Sequence, residues 1–186
     1  MRITQTELEG VLLIHPDVFR DSRGAFLESY NRQRYILNGM NHEWVQDNLS
    51  SSSYGVVRGL HYQVEPHAQT KIVQSVHGRI LDAVVDVRRG SPTFGRHLTV
   101  ELDSEARTQI LIPKGFAHGF SVLSESAVVM YKTDGYYNKG SEAGIRFDDP
   151  DLAIDWKIPS GKAIVSHKDL ELPPFSKLVT NFDYRR

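Results

Sequence analysis

The sequence predicts an all-β fold, a sandwich or barrel of antiparallel strands with a few short helices. Short runs rich in β-branched and aromatic residues recur about every ten residues, and Gly, Pro, Asn, Asp or Ser residues bound them. Helical periodicity is scarce, because only segment 31–38 and the segment around 168–170 are compatible with a helix. With strands so dominant, packing two sheets or closing a barrel is the way to bury their apolar faces.

The strand predictions follow the chain from turn to turn. Turn signals include 77–78 (HG), 89–92 (RGSP) and 113–115 (PKG). The polar segment 135–149 is predicted to be a long loop over one end of the barrel. The predicted strands are 11–14, 25–30, 55–63, 71–76, 79–87, 96–102, 108–112, 118–123 and 127–132.

Length and composition limit the class of protein. The chain has 186 residues, of which 40% are hydrophobic, so we predict one folded domain over residues 1–186 rather than disorder. The 22 Lys+Arg balance 23 Asp+Glu, and without a global basic excess no nucleic-acid partner is expected. The absence of cysteine excludes disulfides, thiolate zinc sites and cysteine nucleophiles. The N-terminal apolar run 11–14 is too short for a signal peptide or a membrane span, so we predict a cytoplasmic protein without membrane contact.

A buried carboxylate is predicted in the strand over 79–87. By the period-two rule, Asp82 shares a strand face with Ile80 and Val84. A carboxylate among apolar neighbours is costly unless it is paired. Asp82 is therefore either a structural hydrogen-bond acceptor or part of an interior site.

The segments 46–50 (QDNLS) and 55–63 (GVVRGLHYQ), followed by Lys71, bring varied chemistry close together. His61 suits proton abstraction near neutral pH, and a hydrogen-bonded strand histidine is the alternative. Strict alternation puts Arg58 and His61 on opposite faces of one strand. Either Gly59 marks a β-bulge, or the two side chains reach a ligand at different levels.

The segment 112–120 (IPKGFAHGF) carries a Pro-x-Gly-x-x-His pattern that resembles the second motif of cupin barrels. In metal-dependent cupins that histidine, here His118, is a ligand. The first cupin motif would supply a His-x-His pair and then a Glu, but Gln63 follows His61 at the second histidine position. Two isolated histidines leave a divalent ion short of ligands, so we expect a cupin-like jelly-roll barrel without metal or cofactor. A metal held with Glu65, His67 and His77 is the alternative.

Tyrosines supply the last candidate chemistry. Tyr131 shares a strand face with Ala127 and Val129. With a pKa of about 10, a tyrosine donates its proton only to a strongly basic acceptor such as an enolate carbon, and a core tyrosine is the alternative. The pair 136–137 is either a turn or a stacking platform for an aromatic base.

Together these segments resemble the dTDP-4-dehydrorhamnose 3,5-epimerases over nearly the whole chain. Their joint order and spacing carry the resemblance, rather than any single segment. It implies a cupin-like jelly roll that inverts C3 and C5 of dTDP-4-dehydro-6-deoxy-D-glucose through an enolate, without a cofactor, in dTDP-L-rhamnose biosynthesis. The matching segments are 19–24 (FRDSRG), 26–30 (FLESY), 46–48 (QDN), 58–63 (RGLHYQ), 90–95 (GSPTFG), 113–120 (PKGFAHGF), 131–133 (YKT), 155–156 (DW) and 166–169 (SHKD).

The resemblance also implies residue roles. His61 would be the base, Tyr131 the acid and Lys71 the stabiliser of the C4 oxyanion. Asp169 would fix the tautomer of His61, and Asp82 would support the same histidine. The family is a homodimer whose N-terminal region contributes to the partner's site, so Arg23 and Glu28 are expected in either subunit's site. The implied substrate-binding residues are Arg23, Glu28, Gln46, Asp47, Asn48, Arg58, His118, Tyr137 (stacked on thymine), Glu142 and Lys168.

Other functions stay open from the residues alone. Relatives that invert only C3 or only C5 of other dTDP-keto sugars share nearly all of these catalytic residues. A noncatalytic sugar-nucleotide-binding cupin would be expected to lose His61 or Tyr131, and both are present. A metal-dependent cupin oxygenase would need three or four metal ligands.

Overall fold

The structure, a computed structural model, describes residues 1–184. Strands dominate this range, and two short α-helices, α1 Arg32–Leu37 and α2 His167–Leu170, accompany them. The strands are β1 Arg2–Gln5, β2 Leu12–His15, β3 Phe19–Asp21, β4 Gly24–Phe26, β5 Gln46–Ser53, β6 Val56–Gln63, β7 Lys71–His77, β8 Arg79–Asp86, β9 His97–Asp103, β10 Gln109–Ile112, β11 Phe116–Val122, β12 Ser126–Thr133, β13 Glu142–Gly144 and β14 Ile164–Val165.

Two sheets form the body of the molecule. The first has the strand order β1-β2-β10-β7-β12-β5, and the second has the order β13-β6-β11-β8-β9. All neighbours along these two orders are antiparallel, and β14 adds to β6 in parallel. Strands β3 and β4 form a separate hairpin. This arrangement is a cupin-like jelly roll, and it confirms the predicted fold class.

The main core lies between the inner faces of the two sheets. Val73 and Ile110 of the first sheet pack there with Ile80, Val84 and Phe120 of the second. Burying each such side chain contributes about 1.5–3 kcal/mol to folding. The inner faces are thereby held together along most of the barrel, and polar side chains are left to line the remaining space.

A second core covers the outer face of the second sheet. There Val57, Ala83 and Ala117 pack against the C-terminal segment, including Ile145 and Trp156. Because both faces of this sheet are covered, β11 is buried at every position and β8 at every position after Arg79. The strands that carry His118 and Asp82 are therefore rigidly packed.

Both predicted helices are present. Asn31 caps α1 by accepting a hydrogen bond from the Arg34 backbone N–H, and Asn38 follows its last residue. Ser166 caps α2 in the same way. Neither helix within residues 1–184 approaches the length and hydropathy that crossing a membrane requires.

The observed strands differ from the predicted ones in several places. The strand predicted over 25–30 ends at Phe26, because β4 pairs only with the short β3. The polar β5, Gln46–Ser53, was missed because its residues have low β-propensity, although every residue pairs with β12. The loop predicted over 135–149 contains β13, which pairs with β6.

Candidate active site

A cavity of about 560 Å³ lies between the two sheets. A second cavity of about 170 Å³ adjoins it, and His61, Lys71 and Tyr131 line both. Further predicted site residues line the larger cavity (Arg58, His118, Lys168 and Asp169) or the smaller one (Gln46, Asn48, Tyr137 and Glu142). Most of the predicted site residues therefore meet in one continuous space.

A β-bulge in β6 brings Arg58 and His61 into the same cavity. His61 lies opposite His118 on β11, whereas Arg58 lies opposite Phe120, so three residue steps on β6 match two on β11. The bulge falls at Gly59, which has a φ of +120°. Of the two alternatives that the alternation left open, the bulge is correct.

His61 is held by Asp169. The Nε2 atom of His61 lies 2.7 Å from Oδ1 of Asp169, and Oδ2 accepts the backbone N–H of Gly59 at 3.3 Å. Burial raises the pKa of the Asp169 carboxyl, but the hydrogen bond and charge of His61 outweigh it, so the pKa lies below its usual value. A carboxylate that accepts from Nε2 leaves Nδ1 of His61 as the nitrogen that can take a proton.

Tyr131 approaches the cavity from the other sheet. It lies on β12 opposite Asn48 of β5, and its side chain is half-buried. Burial raises the pKa of the Tyr131 hydroxyl, and the positive charge of Arg58 offsets only part of that rise. Tyr131 therefore keeps its proton at neutral pH and is available as a donor.

Lys71, the first residue of β7, is a cation that lines both cavities. Burial lowers the pKa of Lys71 to about 8, against the charges of Asp82 and Glu142, which act to raise it. Lys71 is therefore mostly an ammonium at pH 7 and loses that charge as the pH rises through about 8. An ammonium in a water-poor cavity can stabilise a developing oxyanion more strongly than a solvated one.

The role that the resemblance implied for Asp82, support of His61, is wrong. Its Oδ2 lies 2.8 Å from Nε2 of His118, and it does not contact His61. The reason is the strand order: β11 lies between β8 and β6, so a side chain of β8 reaches β11 first. The two histidines that line the larger cavity are thus bonded to different aspartates, His61 to Asp169 and His118 to Asp82.

A connected set of polar side chains lines the smaller cavity. Glu142 accepts from Lys168 Nζ at 2.6 Å and from the Tyr137 hydroxyl at 3.0 Å. Gln46 donates to Asn48 at 2.9 Å and accepts from the Tyr137 backbone N–H at 3.2 Å. Burial raises the pKa of Glu142, but its bonds to Lys168 and Tyr137 outweigh this and keep the pKa low. This set offers donors, acceptors and an aromatic face to a polar ring.

Three predicted binding residues lie outside the cavity. Arg23, on the β3–β4 hairpin, pairs with Asp21 at 2.6 Å. Glu28 bonds to Asn31 at 2.9 Å and to Arg34 at 3.1 Å. Asp47 points to the opposite face of β5 from Gln46 and Asn48, where it pairs with Lys132 at 2.6 Å. The structure of one chain does not bring these three side chains to the others.

The sequence analysis did not assign two serines to the site. Ser50 lines the larger cavity, and its hydroxyl is buried without a hydrogen-bond partner in residues 1–184. Ser166 also lines it and caps the helix that carries Asp169. The alternation of β5 would have revealed Ser50, which follows Gln46 and Asn48 on the inner face. In the described range, no group of three or more His, Asp or Glu side chains is arranged to hold a metal ion.

The chain resembles known proteins over nearly its full length. The family model described as dTDP-4-dehydrorhamnose 3,5-epimerase matches residues 5–177. The dTDP-4-dehydrorhamnose 3,5-epimerase of Shigella flexneri is 46% identical over 171 residues, which cover 91% of this chain and 93% of that protein. The crystal structure of dTDP-6-deoxy-D-glucose-3,5-epimerase from Legionella pneumophila, in complex with dTDP-4-keto-L-rhamnose, has a TM-score of 0.94 at 41% identity and covers 100% of this chain and 99% of that one. A dTDP-4-dehydrorhamnose 3-epimerase of Streptomyces niveus is 39% identical over 91% of this chain and 81% of its own length.

Fold, site and relatives together define an isomerase built on a cupin-like jelly roll. The chain belongs to the dTDP-4-dehydrorhamnose 3,5-epimerase family, and the family resemblance of the sequence is confirmed.

Proposed function

We propose that this protein converts dTDP-4-dehydro-6-deoxy-D-glucose to dTDP-4-dehydro-L-rhamnose, a step of dTDP-L-rhamnose biosynthesis in the cytoplasm. One observation carries the proposal. His61 on β6 and Tyr131 on β12 line one cavity from opposite sheets, with Lys71 lining it beside them. A base and an acid on opposite walls are what inversion at a ring carbon requires, because a proton leaves one face and returns to the other.

The C4 ketone of the substrate acidifies the hydrogens on C3 and C5. His61 takes such a hydrogen as a proton on Nδ1, and the electron pair of the broken C–H bond passes into an enolate whose negative charge lies on the C4 oxygen. Lys71 stabilises that oxygen as an ammonium. Tyr131 then donates its proton to the opposite face of the same carbon, and both residues recover their starting states by exchange with solvent. Repeating these steps at the second carbon completes the reaction.

The remaining cavity residues suit the nucleotide. Arg58 donates from Nε to the Ser52 hydroxyl at 3.1 Å and from Nη2 to the Ser51 carbonyl at 3.4 Å, and Nη1 remains to contact a diphosphate. Lys168 adds a second cation at the same cavity. Tyr137 is half exposed beside Gln46 and Glu142, where a thymine ring could stack on it. His118 completes the sugar-binding wall.

We further propose a homodimer in which Arg23 and Glu28 reach the cavity of the partner subunit. The β3–β4 hairpin that carries Arg23 exposes the cross-strand pair Phe19 and Phe26, which are 61% and 67% accessible. Such a pair favours burial against another surface. Mixing Arg23→Ala protein with His61→Ala protein tests this, because a mixed dimer with shared sites recovers one intact site. Recovery of activity on mixing supports the arrangement, and no recovery between proteins that exchange subunits contradicts it.

The decisive experiment follows C3–H and C5–H of the substrate by NMR in D2O, without added metal or nicotinamide. Deuterium at both carbons, with a product that a rhamnose-forming reductase accepts, is the expected result. Deuterium and inversion at only one carbon would instead indicate a single-position epimerase. Exchange at neither carbon would indicate a noncatalytic binding protein or another substrate.

Activity is also expected to survive chelator treatment. A loss of activity that zinc, iron or manganese restores would contradict the metal-free mechanism.

A further inference from the structure

Asp82 is a buried carboxylate with only half of its hydrogen-bonding capacity used. Its side chain is inaccessible to solvent, and Oδ2 is bonded to Nε2 of His118 at 2.8 Å. Its other oxygen, Oδ1, is buried and has no hydrogen-bond partner in residues 1–184. Burying an anion in this way is costly unless a positive charge lies near.

Lys71 supplies that positive charge from the facing sheet. Asp82 lies in the middle of β8 in the second sheet, and Lys71 begins β7 in the first. Of the two carboxylates that favour the charged form of Lys71, Asp82 has the larger effect and Glu142 the smaller. No direct ion pair joins Lys71 to a carboxylate within the described residues, so the two charges act through space across the barrel.

The other ionisable side chains that line these cavities with Lys71 come from several elements. They are Arg58 and His61 on β6, His118 on β11, Tyr131 on β12, Glu142 on β13, Tyr137 before β13, and Lys168 and Asp169 on α2. Of the carboxylates, Asp169 is bonded to His61, and Glu142 is bonded to Lys168 and Tyr137. Asp82 does not itself line the cavities, and its second oxygen has no hydrogen-bond partner within residues 1–184.

We propose that Asp82 is a positioning residue for two partners: one oxygen orients the His118 ring, and the other is the counter-charge that keeps Lys71 an ammonium. The effect of Asp82 on catalysis rests on the proposed function, because Asp82 acts through Lys71, which stabilises the C4 oxyanion. The effect of Asp82 on the charge of Lys71 does not rest on that function, because it is present without substrate. Orienting His118 requires a hydrogen on Nε2 and leaves Nδ1 for a ligand.

The first test measures Lys71 itself. In protein labelled with 13C-lysine, NMR follows the titration of Lys71 without substrate, and Lys71→Arg assigns its signal. In Asp82→Asn the midpoint is expected about one pH unit or more below that of the unsubstituted protein, because the amide carries no charge. Asp148→Asn is the control. Asp148 pairs with Arg146 at 2.6 Å and lines neither cavity, so its loss leaves the Lys71 midpoint in place.

The second test measures steady-state kinetics once epimerase activity has been demonstrated. Asp82→Asn is expected to lower kcat/KM roughly tenfold to a hundredfold at pH 7.5, mostly through kcat, and to move the alkaline limb of the pH profile to lower pH. His118→Gln keeps the charge of Asp82 and leaves that limb unmoved. The proposal would be overturned if folded Asp82→Asn kept both the titration midpoint of Lys71 and the alkaline limb of the pH profile unchanged.

A third measurement needs no substitution. Nitrogen-15 NMR of the imidazole groups is expected to show a hydrogen on Nε2 of His118 in the unsubstituted protein. A neutral ring with its hydrogen on Nδ1 alone would overturn the orienting role, even if Asp82→Asn does not fold. Absence of epimerase activity in the unsubstituted protein would instead refute the proposed function, and the Lys71 titration would still be interpretable.

Discussion

The Nε2 atom of His61 lies 2.7 Å from Oδ1 of Asp169, although 108 residues separate the two in the sequence. Two local features bring them together. The bulge at Gly59 turns the His61 side chain into the cavity and presents the Gly59 N–H to the same carboxylate. The Ser166 cap fixes the start of α2, so that Asp169 faces the barrel. The pair is thus built from a strand irregularity and a helix terminus, both of which are short and rigid.

This pair leads to the first prediction. Asp169→Asn is expected to lower kcat by roughly 10²–10⁴-fold, because an amide can hold the ring in the wrong tautomer and does not stabilise the imidazolium. Binding of dTDP, measured by calorimetry, should change little because the nucleotide residues remain. Asp148→Asn, which removes the solvent-accessible ion pair with Arg146, is the control and should retain full activity. An Asp169→Asn enzyme with nearly normal kcat would contradict the dyad.

Tyr131 gives a prediction that separates proton removal from proton return. In Tyr131→Phe, His61 can still remove a proton, whereas the donor on the facing wall is absent. Formation of inverted product is therefore expected to fall more than exchange of the C3 and C5 hydrogens with D2O. NMR of both processes in one sample measures the ratio. If exchange and inversion fall equally, Tyr131 has another task.

The sequence predicted the apolar part of the fold well and the polar part poorly. Strands such as β8 and β11 are bounded by turn residues and are buried on both faces, so their apolar runs are unmistakable. In β5 the row Gln46, Asn48, Ser50 faces the two cavities, and this row is polar. The strand therefore lacks the apolar alternation by which strands are recognised.

In the site, too, the sequence predicted some features and left others open. The spacing of Arg58 and His61 left two ways for both side chains to reach one ligand, and a β-bulge was one of them. Which of the two occurs depends on how β6 pairs with β11. The partner of Asp82 could not be read from β8 alone, because it depends on which strand lies beside β8 in the sheet. Local sequence thus identifies groups that need partners, and the strand order decides which partners they have.

The close packing of Gly59 leads to a prediction on stability and activity together. A Cβ at Gly59 would lie 2.6 Å from Cα of Gly119 and 2.8 Å from the His118 carbonyl oxygen, so Gly59→Ala must push β6 and β11 apart. We expect a lower Tm and loss of turnover, since both Arg58 and His61 move. Gly39→Ala is the matched control: Gly39 also has a positive φ, +82°, but nothing lies within 4 Å of its added Cβ. It should show only the cost of backbone strain, about 1–2 kcal/mol, with normal kcat. Equal effects of the two variants would refute the packing argument.

Asp86 is a buried carboxylate that supports the fold outside the cavity. Its oxygens accept from Arg88 Nη2 at 2.7 Å, from the Ser91 hydroxyl at 2.6 Å and from the Thr93 hydroxyl at 2.7 Å. Burial raises the pKa of Asp86, but these hydrogen bonds outweigh it, and the pKa lies below its usual value. Because Asp86→Ala leaves the largely buried Arg88 unpaired, the variant should lose about 3 kcal/mol of unfolding free energy at pH 7.

The pH dependence of that loss has a definite sign. A carboxyl whose pKa is depressed by folding contributes its full stabilisation above its unfolded pKa of about 3.9, and loses it as the pH falls through the folded pKa. The difference in unfolding free energy between the unsubstituted protein and Asp86→Ala should therefore be constant above about pH 5 and shrink below about pH 4. Urea denaturation across this range measures it, and Asp148→Ala, which breaks an exposed pair, should show a much smaller difference throughout. A difference that grows as the pH falls would mean that the neutral form of Asp86, rather than its anion, is the one that folding favours.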